Sequence, residues 1–245
     1  LKRNSALGFL KSYSFIEVKD NLCHIHRLVQ RVIRYGLLKR KPADYKKYRE
    51  EALEVFANIS SALDGEDPKV RTFLAPFVPH FQKGLSLLEK VAFPSKNGEN
   101  LWNLSRLMWS FYYYGGQYGE AFSRAQDCYE ISSEQYGGKS IELGAASCIL
   151  GVTYGALGKH KEALKYQMEA IEIRKELLGD NHPDVAESLN NVGHTYGALG
   201  KPEEALKYQE KSLQMMKKLL GDNHPSVATS LNNVGGSFGA LGKRE

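Results

Sequence analysis

The chain has 245 residues, 42% hydrophobic and 25% charged. That is the balance of an ordinary globular protein of one or two domains, and it excludes a collagen-like fibre, a disulfide-dense miniprotein and a largely disordered tail. The formal net charge of +5 hides an asymmetry, because residues 1–49 hold 13 Lys and Arg against only Glu17, Asp20 and Asp44.

Taken in chain order, residues 14–18 and 22–26 alternate like two strand arms, with Lys19, Asp20 and Asn21 as the turn between them. A helix is expected from His26 to about Leu38, with Arg27, Arg31 and Arg34 on one stripe. This basic head invites a nucleic-acid reading, but a stripe of one helix serves equally to dock another domain, and the domain-facing reading is favoured. Residues 45–59 repeat apolar positions at helical spacing, residues 61–68 break the pattern, and a helix resumes over 70–91. Pro76 and Pro79 place a kink or break inside it.

From about residue 99 the sequence repeats with a period of 42. GDNHP occurs at Gly179–Pro183 and again at Gly221–Pro225, and YGALGK at Tyr154–Lys159 and Tyr196–Lys201, with FGALGK at Phe238–Lys243. Residues 142–183 and 184–225 align without a gap at 22 identities in 42, and 184–203 on 226–245 at 14 in 20. One period earlier a skeleton survives: Tyr112 under Tyr154, Gly116 under Gly158, Glu120 and Ala121 under Glu162 and Ala163, and Gly137 under Gly179.

Each unit reads as two helices. Pro183 and Pro225 suit a first helical position, where the missing N–H costs nothing. Val185, Leu189, Val192 and Tyr196 make one apolar stripe, and Gly197 to Gly200 end that helix. Glu203 opens the second helix, with Ala205, Leu206, Leu213 and Leu220 inward and Gly221 as its C-terminal stop. Gly193 faces Ala205, and Gly151 faces Ala163, where the two helices must approach closely. One such pair cannot cover its own apolar stripe, whereas stacked pairs can, so the expected fold is all-α, a right-handed superhelical solenoid of helix pairs.

The order apolar, Gly, Tyr three later, Ala nine later resembles the tetratricopeptide repeat. The 42-residue period and the G-D-N-H-P-x-V-A linker resemble the long variety of kinesin light chains and of many bacterial signalling proteins. In the head, Cys23–Arg34 resembles the segment that ends the winged-helix part of NB-ARC-type (STAND) signalling ATPases, and Leu74–His80 resembles the stretch those proteins carry before their repeats. The resemblance implies a partial winged-helix unit over 1–42 with a short β-hairpin, a helical linker bundle over 43–98, and about three and a half repeats over 99–245. It implies a nucleotide-binding domain upstream and places His26 where that family has a nucleotide-sensing histidine, although Arg27 departs from the family's acid there. The chain starts without Met and stops at the start of a second helix, the pattern expected of a fragment.

Chemistry-bearing motifs are few. The GALGK segments lack the first glycine and the terminal Ser or Thr of a phosphate loop, and read as turns between helices. HExxH, CxxC and GxSxG do not occur. Cys23, His24 and His26 are close in sequence, but no second Cys or His cluster completes a metal site. The reading is a non-enzyme without cofactor or metal. Cys23, Cys128 and Cys148, odd in number and without paired spacing, read as free thiols of a cytoplasmic protein. No apolar run is long enough for a membrane span.

The function expected is recognition of a protein or peptide in the groove lined by the first helices. Asn190, Asn191 and His194, then Asn232 and Asn233 one period later, are the candidate partner-binding residues. A carboxamide offers a donor and an acceptor to an extended chain. Asn191 and Asn233 each precede an inward Val and so need not be buried. Val152, His194 and Gly236 stand where a carboxylate clamp would need a base, which favours an internal peptide over a chain end. The favoured setting is a STAND or NB-ARC-like switch protein. The alternatives are a free-standing kinesin-light-chain-like adaptor and a DNA-binding regulator using the head.

Overall fold

The computed structural model describes residues 16–19, 22–25, 68–75, 78, 82, 95–136 and 138–242. The chain divides into two compact units, Leu1–Gln117 and Tyr118–Glu245.

In the first unit, β1 (Ile16–Lys19) and β2 (Leu22–Ile25) pair antiparallel, with Ile16 opposite Ile25 and Lys19 opposite Leu22. Lys19 therefore belongs to the first strand rather than to the turn. A two-stranded hairpin does not by itself define a winged-helix unit, and the helix expected from His26 to Leu38 lies outside the described residues, as does the expected helix over 45–59. Helix α1 (Pro68–Leu74) ends two residues before Pro76, where the ring would collide with the preceding turn. Helix α2 (Ser95–Tyr114) buries Leu101, Leu104, Leu107, Met108 and Tyr112, which recur every three or four residues. Trp109 stacks on Tyr113 with centroids 5.1 Å apart.

The second unit begins with α3 (Tyr118–Tyr136) and continues as three first helices, α4 (Ile141–Ala156), α6 (Pro183–Ala198) and α8 (Pro225–Ala240). They alternate with two second helices, α5 (His160–Leu178) and α7 (Pro202–Leu220). Both start slightly earlier than the sequence suggests, α7 at Pro202 rather than Glu203.

The helix ends repeat as faithfully as the sequence. Gly116, Gly158, Gly200 and Gly242 all have φ of 70–76°. In the α4 example, Lys159 N–H reaches back to the Tyr154 carbonyl (2.9 Å) and Gly158 N–H to Gly155 (3.0 Å). This is the Schellman arrangement, which needs a residue at ease with positive φ. The GALGK amides are thus spent on the preceding helix's carbonyls, which is why the segments make turns and hold no phosphate. At the other end, the His182 and His224 imidazoles cap α6 and α8, their Nδ1 atoms accepting from Asp184 N–H and Ser226 N–H at 3.2 Å.

Inside the unit the expected stripe packs as one cluster. Val185, Leu189 and Val192 of α6 meet Ile171 of α5, flanked by Leu164, Tyr196, Tyr208 and Met215. Tyr196 stacks on Tyr208 within the pair, as Tyr154 stacks on Tyr166. A second cluster joins consecutive pairs: Ala186, Met216 and Val227, edged by Leu213 and Leu220. Each fully buried Val or Leu contributes about 1.5–3 kcal/mol.

Close approach is concentrated at one point of each pair. A Cβ added at Gly193 would lie 2.6 Å from Gln209 Cγ and 2.9 Å from the Ala205 carbonyl oxygen. At Gly151 the same atom would lie 2.7 Å from Gln167 Cγ and 3.1 Å from the Ala163 oxygen. The Gln stems fill the space that the missing side chains leave. Their amides are buried and reach the next first helix: Thr195 Oγ1 donates to Gln167 Oε1 (2.9 Å), and Ser237 Oγ to Gln209 Oε1 (2.7 Å).

Gly193→Ala should lower stability by about 1–3 kcal/mol, because backbone must move to admit the methyl. Gly235→Ala, one period on with nothing within 4 Å of its added Cβ, should be neutral or stabilising by up to about 1 kcal/mol through helix propensity. Denaturant midpoints of the two variants check the contrast, and equal losses would contradict it.

Candidate functional site

The face of each first helix turned away from its second helix follows from the helical period. Val185, Leu189, Val192 and Tyr196 point to the partner, so Glu187, Asn190 and His194 lie on the opposite side, with Asn191 at its edge. The same positions on α4 are Ala145, Cys148 and Val152, and on α8 Thr229, Asn232 and Gly236, with Asn233 at the edge.

The structure brings four of the sequence-selected groups together across adjacent helices. Asn190, Asn191 and Asn233 are half-buried, and Asn232 and His194 are exposed. Asn233 Nδ2 donates to Asn190 Oδ1 at 2.9 Å. One period earlier, Asn191 Nδ2 sits 3.5 Å from Cys148 Sγ, a weak bond to a sulfur. The edge asparagine of each first helix thus reaches back to the open-face residue of the helix before it. This departs from the expectation that these side chains stand clear of structure: the stacking of first helices places each amide against its neighbour. The rung between Asn233 and Asn190 still leaves Asn190 Nδ2 as a donor and Asn233 Oδ1 as an acceptor. His26 lies outside the described residues.

Below this row sits Arg174 from α5, which sequence reasoning passed over. Its Nη1 donates to the Asp184 carbonyl and to Ser188 Oγ, both at 2.8 Å, and lies 3.4 Å from Glu187 Oε2. The guanidinium therefore ties the end of α5 to the start of α6. The only signal for it was a break in the repeat: positions 42 before and after are Ser132 and Met216. The buried Gln167 and Gln209 were also missed, although an identical Gln two periods running inside a helix that faces glycine was a usable sign.

Two protonation equilibria are displaced. Burial pushes the Cys148 thiol up to about 11, the Arg174 charge opposing. Burial also pushes the Tyr129 hydroxyl up to about 12, helped by its bond to the Glu169 carboxylate at 3.0 Å. Ser147 donates to the other oxygen of that carboxylate at 3.1 Å, so α3, α4 and α5 share it. Among the described residues no group of three or more His, Cys, Asp or Glu is placed to hold a metal ion, and no helix is long and apolar enough to cross a membrane.

The tetratricopeptide repeat model matches residues 102–176, 144–218 and 184–245, well over half the chain, and the chain belongs to that family. No curated protein matches it. Its fold is similar to that of BtubC (BKLC) from P. vanneervenii, at a TM-score of 0.64 and 18% identity over 89% of this chain and 81% of that one. A putative kinesin light chain of nearly identical TPR-like repeats from Podospora anserina gives 0.55 and 18% over 90% and 91%. A STAND protein with a tetratricopeptide repeat sensor from Pyrococcus horikoshii gives 0.50 and 16% over 86% of this chain and 32% of that one. At these identities the likeness is one of fold.

Cys148 should resist iodoacetamide at pH 8 in the folded protein and react once the chain is unfolded, because only the thiolate attacks. Peptide mass mapping separates it from the other cysteines, and rapid labelling of native Cys148 would refute the burial argument.

The Tyr129 hydroxyl is held protonated above its unfolded value of about 10. Its contribution to stability is whole below that pH and is lost as the pH rises toward 12. Tyr129→Phe should therefore flatten the fall in melting temperature between about pH 9.5 and 11, and an unchanged slope would show that the tyrosine does not carry it.

Proposed function

We propose that this chain is a recognition module without catalysis of its own, which binds a protein or an extended peptide across the open face of α4, α6 and α8. Tetratricopeptide repeats are scaffolds for protein and peptide partners, and the observation that carries the reading here is the row of carboxamides on that face. In it, Asn190, Asn191, Asn232 and Asn233 lie on consecutive first helices, two of them already joined at 2.9 Å, with His194 exposed beside them. Side-chain amides in register with a straight chain can donate to its carbonyls and accept from its N–H groups.

The setting we favour is the sensor portion of a STAND or NB-ARC-like switch protein of the cytoplasm. There the partial winged helix of 1–42 and the linker of 43–98 would join the repeats of 99–245 to an upstream nucleotide-binding domain, and His26 would face its nucleotide. Support comes from the Cys23–Arg34 run and from the fold likeness to a STAND protein's repeat sensor. A kinesin-light-chain-like adaptor for cargo peptides has equal support, since the putative kinesin light chain is matched over nearly its full length. Coding sequence upstream of Leu1 separates the two: a phosphate loop and a Walker-B aspartate favour the switch, heptads the adaptor.

The surface itself is tested by capturing partners with the whole chain as bait and titrating the captured partner against Asn191→Ala with Asn233→Ala. Each lost amide bond is worth about 0.5–1.5 kcal/mol net. The double variant should stay folded with a modest fall in melting temperature, and bind its partner about five- to a hundredfold more weakly. Unchanged binding in a folded variant would place recognition elsewhere.

A further inference from the structure

The open face of the second unit is uneven in its chemistry. On α4 it offers Ala145, Cys148 and Val152; on α6 Glu187, Asn190 and His194; on α8 Thr229, Asn232 and Gly236. None of these nine is Lys or Arg. The one fixed charge is Glu187, and Arg174 Nη1 lies 3.4 Å from it. That guanidinium is already engaged with the Asp184 carbonyl and Ser188 Oγ, and only 11% of its side chain is exposed. Glu187 and Arg174 therefore cancel locally, and no cation is free on this face to meet an anion.

Cys148 adds no charge, because its buried thiol stays protonated at neutral pH. The three α4 positions thus form a neutral aliphatic strip beside a strip of amides. A polar side chain laid over Ala145 and Val152 would lose water and gain no partner, whereas an aliphatic one would bury apolar surface at no such cost. Over α6 and α8 the opposite holds, since backbone groups of an extended chain find Asn190 Nδ2 and Asn233 Oδ1.

We propose that the ligand of this face is an uncharged, extended peptide segment that seats an aliphatic side chain on the α4 strip and lays its backbone along the asparagines of α6 and α8. The proposal rests on the groove reading above and narrows it: acidic, phosphorylated and free-carboxylate segments are excluded as ligands.

The test pans a phage-displayed random twelve-residue peptide library on the whole chain. The selected sequences are then synthesised with blocked ends and titrated calorimetrically. Aliphatic residues should be enriched and Asp and Glu depleted. Affinity should change less than about twofold between roughly 50 and 500 mM NaCl, as expected where no exposed charge pair is made. Val152→Asp and Ala145→Asp, each checked for unchanged helical circular dichroism, should weaken binding about tenfold or more. Either one that stays folded suffices for the test. Selected peptides that are rich in Asp or Glu and lose affinity steeply with salt, yet still weaken with Asn191→Ala and Asn233→Ala, would overturn the ligand class and leave the groove standing. Peptides indifferent to both sets of variants, or no enrichment above an empty support, would overturn both.

Discussion

The second unit depends on the absence of a side chain at Gly151 and Gly193. Each lets a first helix come within van der Waals reach of the second-helix backbone at Ala163 or Ala205, and the vacated volume is taken by the stem of Gln167 or Gln209. This has an electrostatic consequence. The amide on that stem is buried in an otherwise apolar seam, and a buried amide must find a partner. It finds one in the next pair, at Thr195 or Ser237. Close packing within one pair therefore fixes the register of the next, and a steric requirement becomes a directional bond between repeats.

The same stacking shapes the face that meets a partner. Because consecutive first helices are held at a constant spacing, a residue on one falls beside the residue 43 positions earlier on its neighbour. That is how Asn233 meets Asn190 and Asn191 meets Cys148. An asparagine with one end tied to its neighbour loses less freedom when it binds than one swinging in solvent, so the row is partly organised before any ligand arrives. Its usefulness and its modest contribution to stability come from the same bonds.

Arg174 shows how a repeat departs from its own pattern with a result. Where the next repeat places Met216 in an apolar cluster with Ala186 and Val227, Arg174 instead holds the Asp184 carbonyl and Ser188 and lies beside Glu187. One junction is sealed by apolar contact and the other by charge-assisted bonds. The second also neutralises the only fixed charge on the open face.

Much of the fold was legible in the sequence because its causes are local. Positive-φ glycines, proline at a first helical position and an apolar stripe at helical spacing each act within one turn, and a period of 42 repeats them in register. That sufficed for the helix pairs, their ends and the Gly–Ala approach, and it marked the asparagines as candidates. Whether an amide faces solvent or a neighbouring helix was not legible, since it depends on the distance between helices far apart in the chain. The burial of Gln167, the bond between Asn190 and Asn233 and the position of Arg174 beneath Glu187 were decided by tertiary structure alone. Each joins residues 13 to 43 positions apart, and a hydrogen bond is made or lost over a few tenths of an ångström that no periodicity encodes.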